Sequence, residues 1–84
     1  MSDSHLSLIR TFLIDQLYVD PADLARSRDL LEEGVIDSLG LMVLVEYLQQ
    51  QRAIEFDPEE IVHANFRTIE SIADLVRAKE ATNK

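Results

Sequence analysis

The sequence contains no cysteine, only two glycines and two prolines, and just eight Lys and Arg among its 84 residues. Without cysteine, neither a disulfide nor thiolate metal ligation can hold so small a chain together, and any thiol chemistry must come from a group added to it. The shortage of basic residues is equally restrictive. Sixteen Asp and Glu leave a net charge of −8, which repels nucleic acid and anionic membranes and favours partners with basic docking surfaces. Neither a nucleic-acid nor a membrane partner is expected. No apolar stretch approaches membrane-spanning length, and Met1-Ser2-Asp3-Ser4 lacks the basic start and apolar run of a signal peptide, so a cytoplasmic location is the expectation. Internal repeats, low-complexity tracts and segments with the two-residue period of a strand are also missing.

What is present is an ordinary globular share of hydrophobic residues, 46%, which argues for a folded core despite the charge. A chain of this length forms one domain and buries only about 60–65% of the surface its unfolded form exposes, so a deep catalytic cavity is not expected. The domain is expected to occupy residues 1–84, with a core over about 4–79 and a frayed tail over 80–84.

Helical periodicity dominates the chain. Leu6, Ile9, Leu13 and Leu17, with Phe12 beside them, define one face of a first helix from Ser4 to Leu17. Asp20-Pro21 ends it near Val19, because proline removes a donor and restricts the residue before it. Residues 21–37 read as a long connection with a short helical turn at Ala22 to Arg26, packed over the helices through Leu24, Leu30, Leu31, Val35 and Ile36. A second helix follows from Ser38 to about Gln51, with Asp37 or Ser38 as its cap and Leu41, Leu44, Val45 and Leu48 on one face. Leu39, Met42 and Val43 fall partly outside that stripe, which suits either a central helix or one that also meets partners. Asp57-Pro58-Glu59-Glu60 predicts a short third helix to about Ala64, opened by a capping box between Asp57 and Glu60. Thr68 caps a fourth helix carrying Ile69, Ile72, Leu75 and Val76. The fold expected is an all-α four-helix bundle with a long first loop and a short third helix.

The segment Gly34-Val35-Ile36-Asp37-Ser38-Leu39-Gly40 places a hydroxyl where a long loop ends and a helix begins. Free amides and the positive helix end stabilise a phosphodiester at such a position, while the loop leaves the serine accessible. A plainer alternative is that Ser38 or Asp37 does no more than cap the helix, and an isolated Asp-Ser pair does not separate the two. Ser38 has no His or Lys near it in sequence and no Gly-x-Ser-x-Gly elbow around it, so it is not set up as a nucleophile of its own.

With Asp37-Ser38-Leu39 following Leu30-Leu31-Glu32-Glu33-Gly34-Val35-Ile36, with an aliphatic helix from Leu41 to Leu48, and with Asn65-Phe66-Arg67-Thr68-Ile69 leading into the last helix, the chain resembles the phosphopantetheine-dependent acyl and peptidyl carrier proteins over nearly its whole length. The resemblance implies that Ser38 receives a 4′-phosphopantetheine arm from coenzyme A through a phosphopantetheinyl transferase. It further implies that the arm holds cargo as a thioester, and that the chain is a free-standing carrier and not an enzyme. An acyl- or aminoacyl-activating ligase and downstream acyl-accepting enzymes would be its other partners, met by a monomeric carrier. Partners of the family read the second helix and its flanks, which points to Asp37, Leu39, Met42 and Glu46 as contacts; for Leu39 and Met42 core packing is the competing reading. Phe66 is expected to anchor the turn into the last helix, and because in the family this region also lies near the cargo, the resemblance adds Phe66 to the candidate partner contacts. Gly40, Val43 and Gln49-Gln50-Gln51 depart from the fatty-acid type of carrier and resemble discrete carriers of specialised pathways, including those that hold amino acids such as D-alanine.

His5 and His63 lie far apart without carboxylates at ligand spacing and read as ordinary surface residues, so no metal site is expected. Asp29, Glu32, Glu33, Asp57, Glu59 and Glu60 do not match a calcium loop and read as solvated caps and docking charge. Two other function classes compete with the carrier. One is a small acidic helical adaptor without a prosthetic group, whose function would survive loss of the Ser38 hydroxyl. The other is a small hydrolase using Ser38, which lacks both a base and a pocket.

Overall fold

A computed structural model describes residues 4–82, and among them there is no strand. Helix α1 spans Ser4–Gln16, α2 Pro21–Arg26, α3 Ser38–Arg52 and α4 Ile69–Thr82. No helix among the described residues is long and apolar enough to cross a membrane.

The apolar periodicity of each long helix becomes a wall of one core. From α1 come Ile9, Phe12 and Leu13, from α3 Leu44, Val45 and Leu48, and from α4 Ile69, Ile72 and Val76, with Phe56 and Phe66 from the connection between the last two. No polar or charged residue is buried as a whole among the described residues, and the buried side-chain oxygen without a partner is the Ser27 hydroxyl, at the end of α2, which carries a desolvation penalty. Phe12 stacks on Tyr47 with ring centroids 4.0 Å apart. Phe56 meets Phe66 edge to face at 6.0 Å, an arrangement the ring quadrupoles favour.

The long first connection is ordered from within. Asp20 caps α2 by accepting from the Ala22 amide at 2.8 Å, with Pro21 at the first position, where a missing N–H costs nothing. Leu24, Leu30 and Ile36 plug into the core, as their hydrophobicity predicts. Gly34 turns the chain with φ at +74°, a left-handed angle that glycine adopts without strain. The backbone bonds Leu30 N to Arg67 O and Ile36 N to Leu30 O then fasten the loop to the chain before α4.

Two expectations are corrected. The segment expected to form one short third helix makes two separate 3₁₀ turns, Pro58–Glu60 and His63–Asn65. Three residues in each turn are too few to nucleate an α-helix, and the Asn65 side chain takes the Glu60 carbonyl that a continuing helix would need. The Asp57 amide does donate to Glu60 Oε1, at 2.8 Å. The tail beyond Lys79 does not fray at once: α4 continues to Thr82. Glu80 holds it there, lying 2.6 Å from Arg52 Nε at the end of α3 and 2.6 Å from His5 Nε2 at the start of α1. Residues 83 and 84 of that expected tail, like residues 1–3, lie outside the described residues. His5 is therefore a half-buried structural contact, not an idle surface side chain.

Candidate functional site: the start of helix α3

Ser38 is the first residue of α3 and is exposed. The question left open between Asp37 and Ser38 as cap resolves in favour of Asp37, whose Oδ1 accepts from the Gly40 amide at 2.7 Å from an extended backbone. Because Asp37 does the capping, the Ser38 hydroxyl is free for other chemistry. The Leu41 amide is satisfied by the Asp37 carbonyl at 2.9 Å. Among the described residues the amides of Ser38 and Leu39 have no protein partner. Two unsatisfied donors at the positive end of a 15-residue helix suit a phosphate attached to the side chain between them.

Beside Ser38 lies a cleft of about 190 Å³ lined by Leu17, Gly34, Val35, Ile36, Asp37 and Gly40. It is open because Gly40 lacks a Cβ. One built there would stand 3.2 Å from Asp37 Oδ1 and 3.5 Å from Leu17 Cδ1. The sequence signal was a glycine inside a helical pattern, which costs about 1 kcal/mol relative to alanine and so asks for a local reason. The end of α1 is the neighbour that sequence spacing does not reveal.

The outward face of α3 continues the site. Leu39 is 74% exposed, Met42 53% and Val43 42%, so the core-packing reading of Leu39 and Met42 is set aside. Asp37, at the start of α3, and Glu46, two turns beyond Leu39, are also exposed. Phe66 is different: it is wholly buried, an anchor of the core that offers no surface to a docked protein.

The loop before Ser38 is latched by Asp29. This carboxylate accepts from the Glu32 amide at 2.9 Å, lies 2.8 Å from His63 Nε2 and 3.3 Å from Arg67 Nε. The Glu32 amide first, and His63 second, hold the Asp29 carboxyl below its usual range. Glu60 is lowered mainly by its hydrogen bond from Lys79, which lies 2.9 Å away. Asp29 and Glu60 are thus fasteners between segments and not merely solvated charge. His63 is part of this latch and not an idle surface side chain. No group of three or more His, Cys, Asp or Glu among the described residues could hold a metal ion.

An exposed serine at a helix start, with two free amides and a cleft beside it, fits a covalently attached phosphate-linked arm. The family model described as "Phosphopantetheine attachment site" matches residues 7–76, and the chain belongs to that family. Its members carry covalently attached 4′-phosphopantetheine and are carriers, not enzymes. A probable acyl carrier protein, PigG, of Serratia sp. (strain ATCC 39006) is 35% identical over 52 residues, which are 62% of this chain and 60% of that protein. The match thus spans less than two thirds of the relative's length. No solved structure matches the chain significantly.

Proposed function

We propose that Ser38 is the attachment point and that the whole chain works as a free-standing, monomeric, cytoplasmic carrier domain for an acyl or aminoacyl group. The observation that carries this reading is the exposed Ser38 hydroxyl beside the unpaired amides of Ser38 and Leu39 at the start of α3. Asp37 keeps the first turn of α3 formed, so those amides stay aimed at the phosphate. Once attached, the arm supplies a terminal thiol on which cargo is held as a thioester.

Attachment is a displacement at phosphorus. Ser38 Oγ bonds to the pantetheine phosphate of coenzyme A, the pyrophosphate bond breaks, adenosine bisphosphate leaves, and the hydroxyl proton passes to a base on a phosphopantetheinyl transferase. No His or Lys adjoins Ser38 in sequence, and the neighbouring Asp37 carboxylate is engaged by the Gly40 amide, so the base comes from the transferase. An acyl- or aminoacyl-activating ligase then charges the arm, and acyl-accepting enzymes discharge it. Tethering raises the local concentration of the cargo at each enzyme to the order of millimolar. Leu39, Met42 and Glu46 on the outer face of α3, with Asp37 at its start, form the surface those enzymes grip. The test is intact-protein mass spectrometry after incubation with coenzyme A, magnesium and a permissive transferase. Wild type gains one phosphopantetheine and Ser38→Ala gains none; modification of Ser38→Ala would sink the assignment.

A further inference from the structure

Leu17, at the end of α1, lines the cleft together with Asp37 and Gly40, the residues on either side of Ser38 and Leu39. The next residue, Tyr18, therefore sits at the same corner of the bundle as Ser38. Two observations about Tyr18 do not belong to the fold. Its side chain is 86% exposed, the most exposed of the large apolar side chains among the described residues. Its backbone lies at φ +59°, the left-handed region in which a Cβ is crowded and which glycine or asparagine normally fills at a helix end.

The left-handed turn itself is needed. It lets the Val19 amide close on the Leu13 carbonyl at 3.0 Å and drops Val19 into the core. The ring is not needed for any of this. Glycine would make the same turn with less strain and without exposing a ring to water. A residue that breaks a local rule with no compensating contact inside the fold marks a surface kept for a partner. Around it the chemistry is consistent: Asp15 and Asp20 flank Tyr18 and are exposed, and Asp37 and Glu46 lie at and beyond the first turn of α3, beside exposed Leu39, Met42 and Val43.

We propose that Tyr18 is a docking residue for the transferase that modifies Ser38, its ring entering an apolar pocket whose basic rim meets the surrounding carboxylates of this chain. The proposal extends the docking surface from α3 onto the end of α1, and it rests on the reading of Ser38 as the attachment point. Aromatic rings seated in this way are common anchors of interfaces, and charge complementarity around them speeds encounter.

Initial rates of arm transfer, followed by intact mass on the full chain with coenzyme A, magnesium and a permissive transferase, test it through Tyr18→Gly and Tyr18→Phe, with Ser38→Ala alongside. Tyr18→Gly should lower kcat/KM about tenfold or more, chiefly through KM, while its thermal midpoint stays equal to wild type or rises. Tyr18→Phe should stay within about twofold of wild type. Wild-type kcat/KM in Tyr18→Gly overturns the proposal. So does a clearly lower melting point in Tyr18→Gly, which would make the ring part of the fold, and so does equal loss in Tyr18→Phe, which would place the contact in the hydroxyl. A wild-type dimer abolished by Tyr18→Gly would seat the ring on a second copy instead and overturn it as well. Failure of wild type to load, or loading of Ser38→Ala, is a failure of the Ser38 assignment and is read separately.

Discussion

Asp37→Ala removes the carboxylate that accepts from the Gly40 amide at 2.7 Å, and its cost divides into two parts. Loss of a side-chain cap costs about 1 kcal/mol. Loss of a negative charge from the positive end of a helix costs roughly a further 0.5 kcal/mol. Unfolding entropy of about 2.1 cal/mol/K per residue gives roughly 0.18 kcal/mol/K for this 84-residue chain. The combined loss of about 1.5 kcal/mol then lowers Tm by roughly 8 °C. Asp37→Asn keeps an oxygen acceptor and loses only the charge, so its Tm should fall by roughly 3 °C. Far-UV circular dichroism melts at neutral pH and about 0.15 M salt, where repulsion among the excess acids is largely screened, read both values. An Asp37→Ala midpoint within about 2 °C of wild type, or an Asp37→Asn midpoint as low as that of Asp37→Ala, would refute the assignment of the cap.

Phe66→Ala should cost about 3–5 kcal/mol in urea unfolding, since the ring is fully buried and packed on Phe56; a near-neutral result would return Phe66 to the surface. Acid should weaken the fold through Asp29, Glu60 and Glu80, whose carboxyls are all lowered in the folded protein. Depressed values stabilise above the unfolded pKa and lose that contribution as pH falls through the folded one. Glu80→Gln, which deletes the partner of Arg52 and His5, should therefore flatten the dependence of Tm on pH between roughly pH 5 and pH 3. Parallel wild-type and variant curves would contradict it.

Much of this was readable in the sequence because helical periodicity and capping chemistry are local. The spacing of Ile9, Phe12 and Leu13, and of Leu44, Val45 and Leu48, names the buried faces directly. Thr68 before Ile69 marks a helix start, and the Ser71 amide does donate to Thr68 Oγ1, at 3.0 Å; Asp20-Pro21 was legible as the end of α1, while the capping of α2 by Asp20 is added by the structure. Ser38 stood out for the same reason, at a loop-to-helix boundary. What sequence could not supply were contacts between distant segments. The pairing of Asp29 with His63, of Glu80 with Arg52 and His5, and of Leu17 with Gly40 depends on how the helices pack. Tyr18 was silent because its left-handed backbone is imposed by the turn into Val19 and not by any preference of tyrosine. The 3₁₀ turns after Pro58 were missed because a correct start signal says little about whether enough residues follow to sustain a helix.

The bridge from Glu80 to both His5 and Arg52 places the first turn of α1 and the last turns of α4 side by side at the far end of α3. The 15 residues of α3 run from Ser38 to that end, a length of about 22 Å at about 1.5 Å per residue. The ion pairs that close the bundle thus sit at one pole of α3 and the exposed Ser38 at the other, so either pole can be altered without touching the contacts of its opposite.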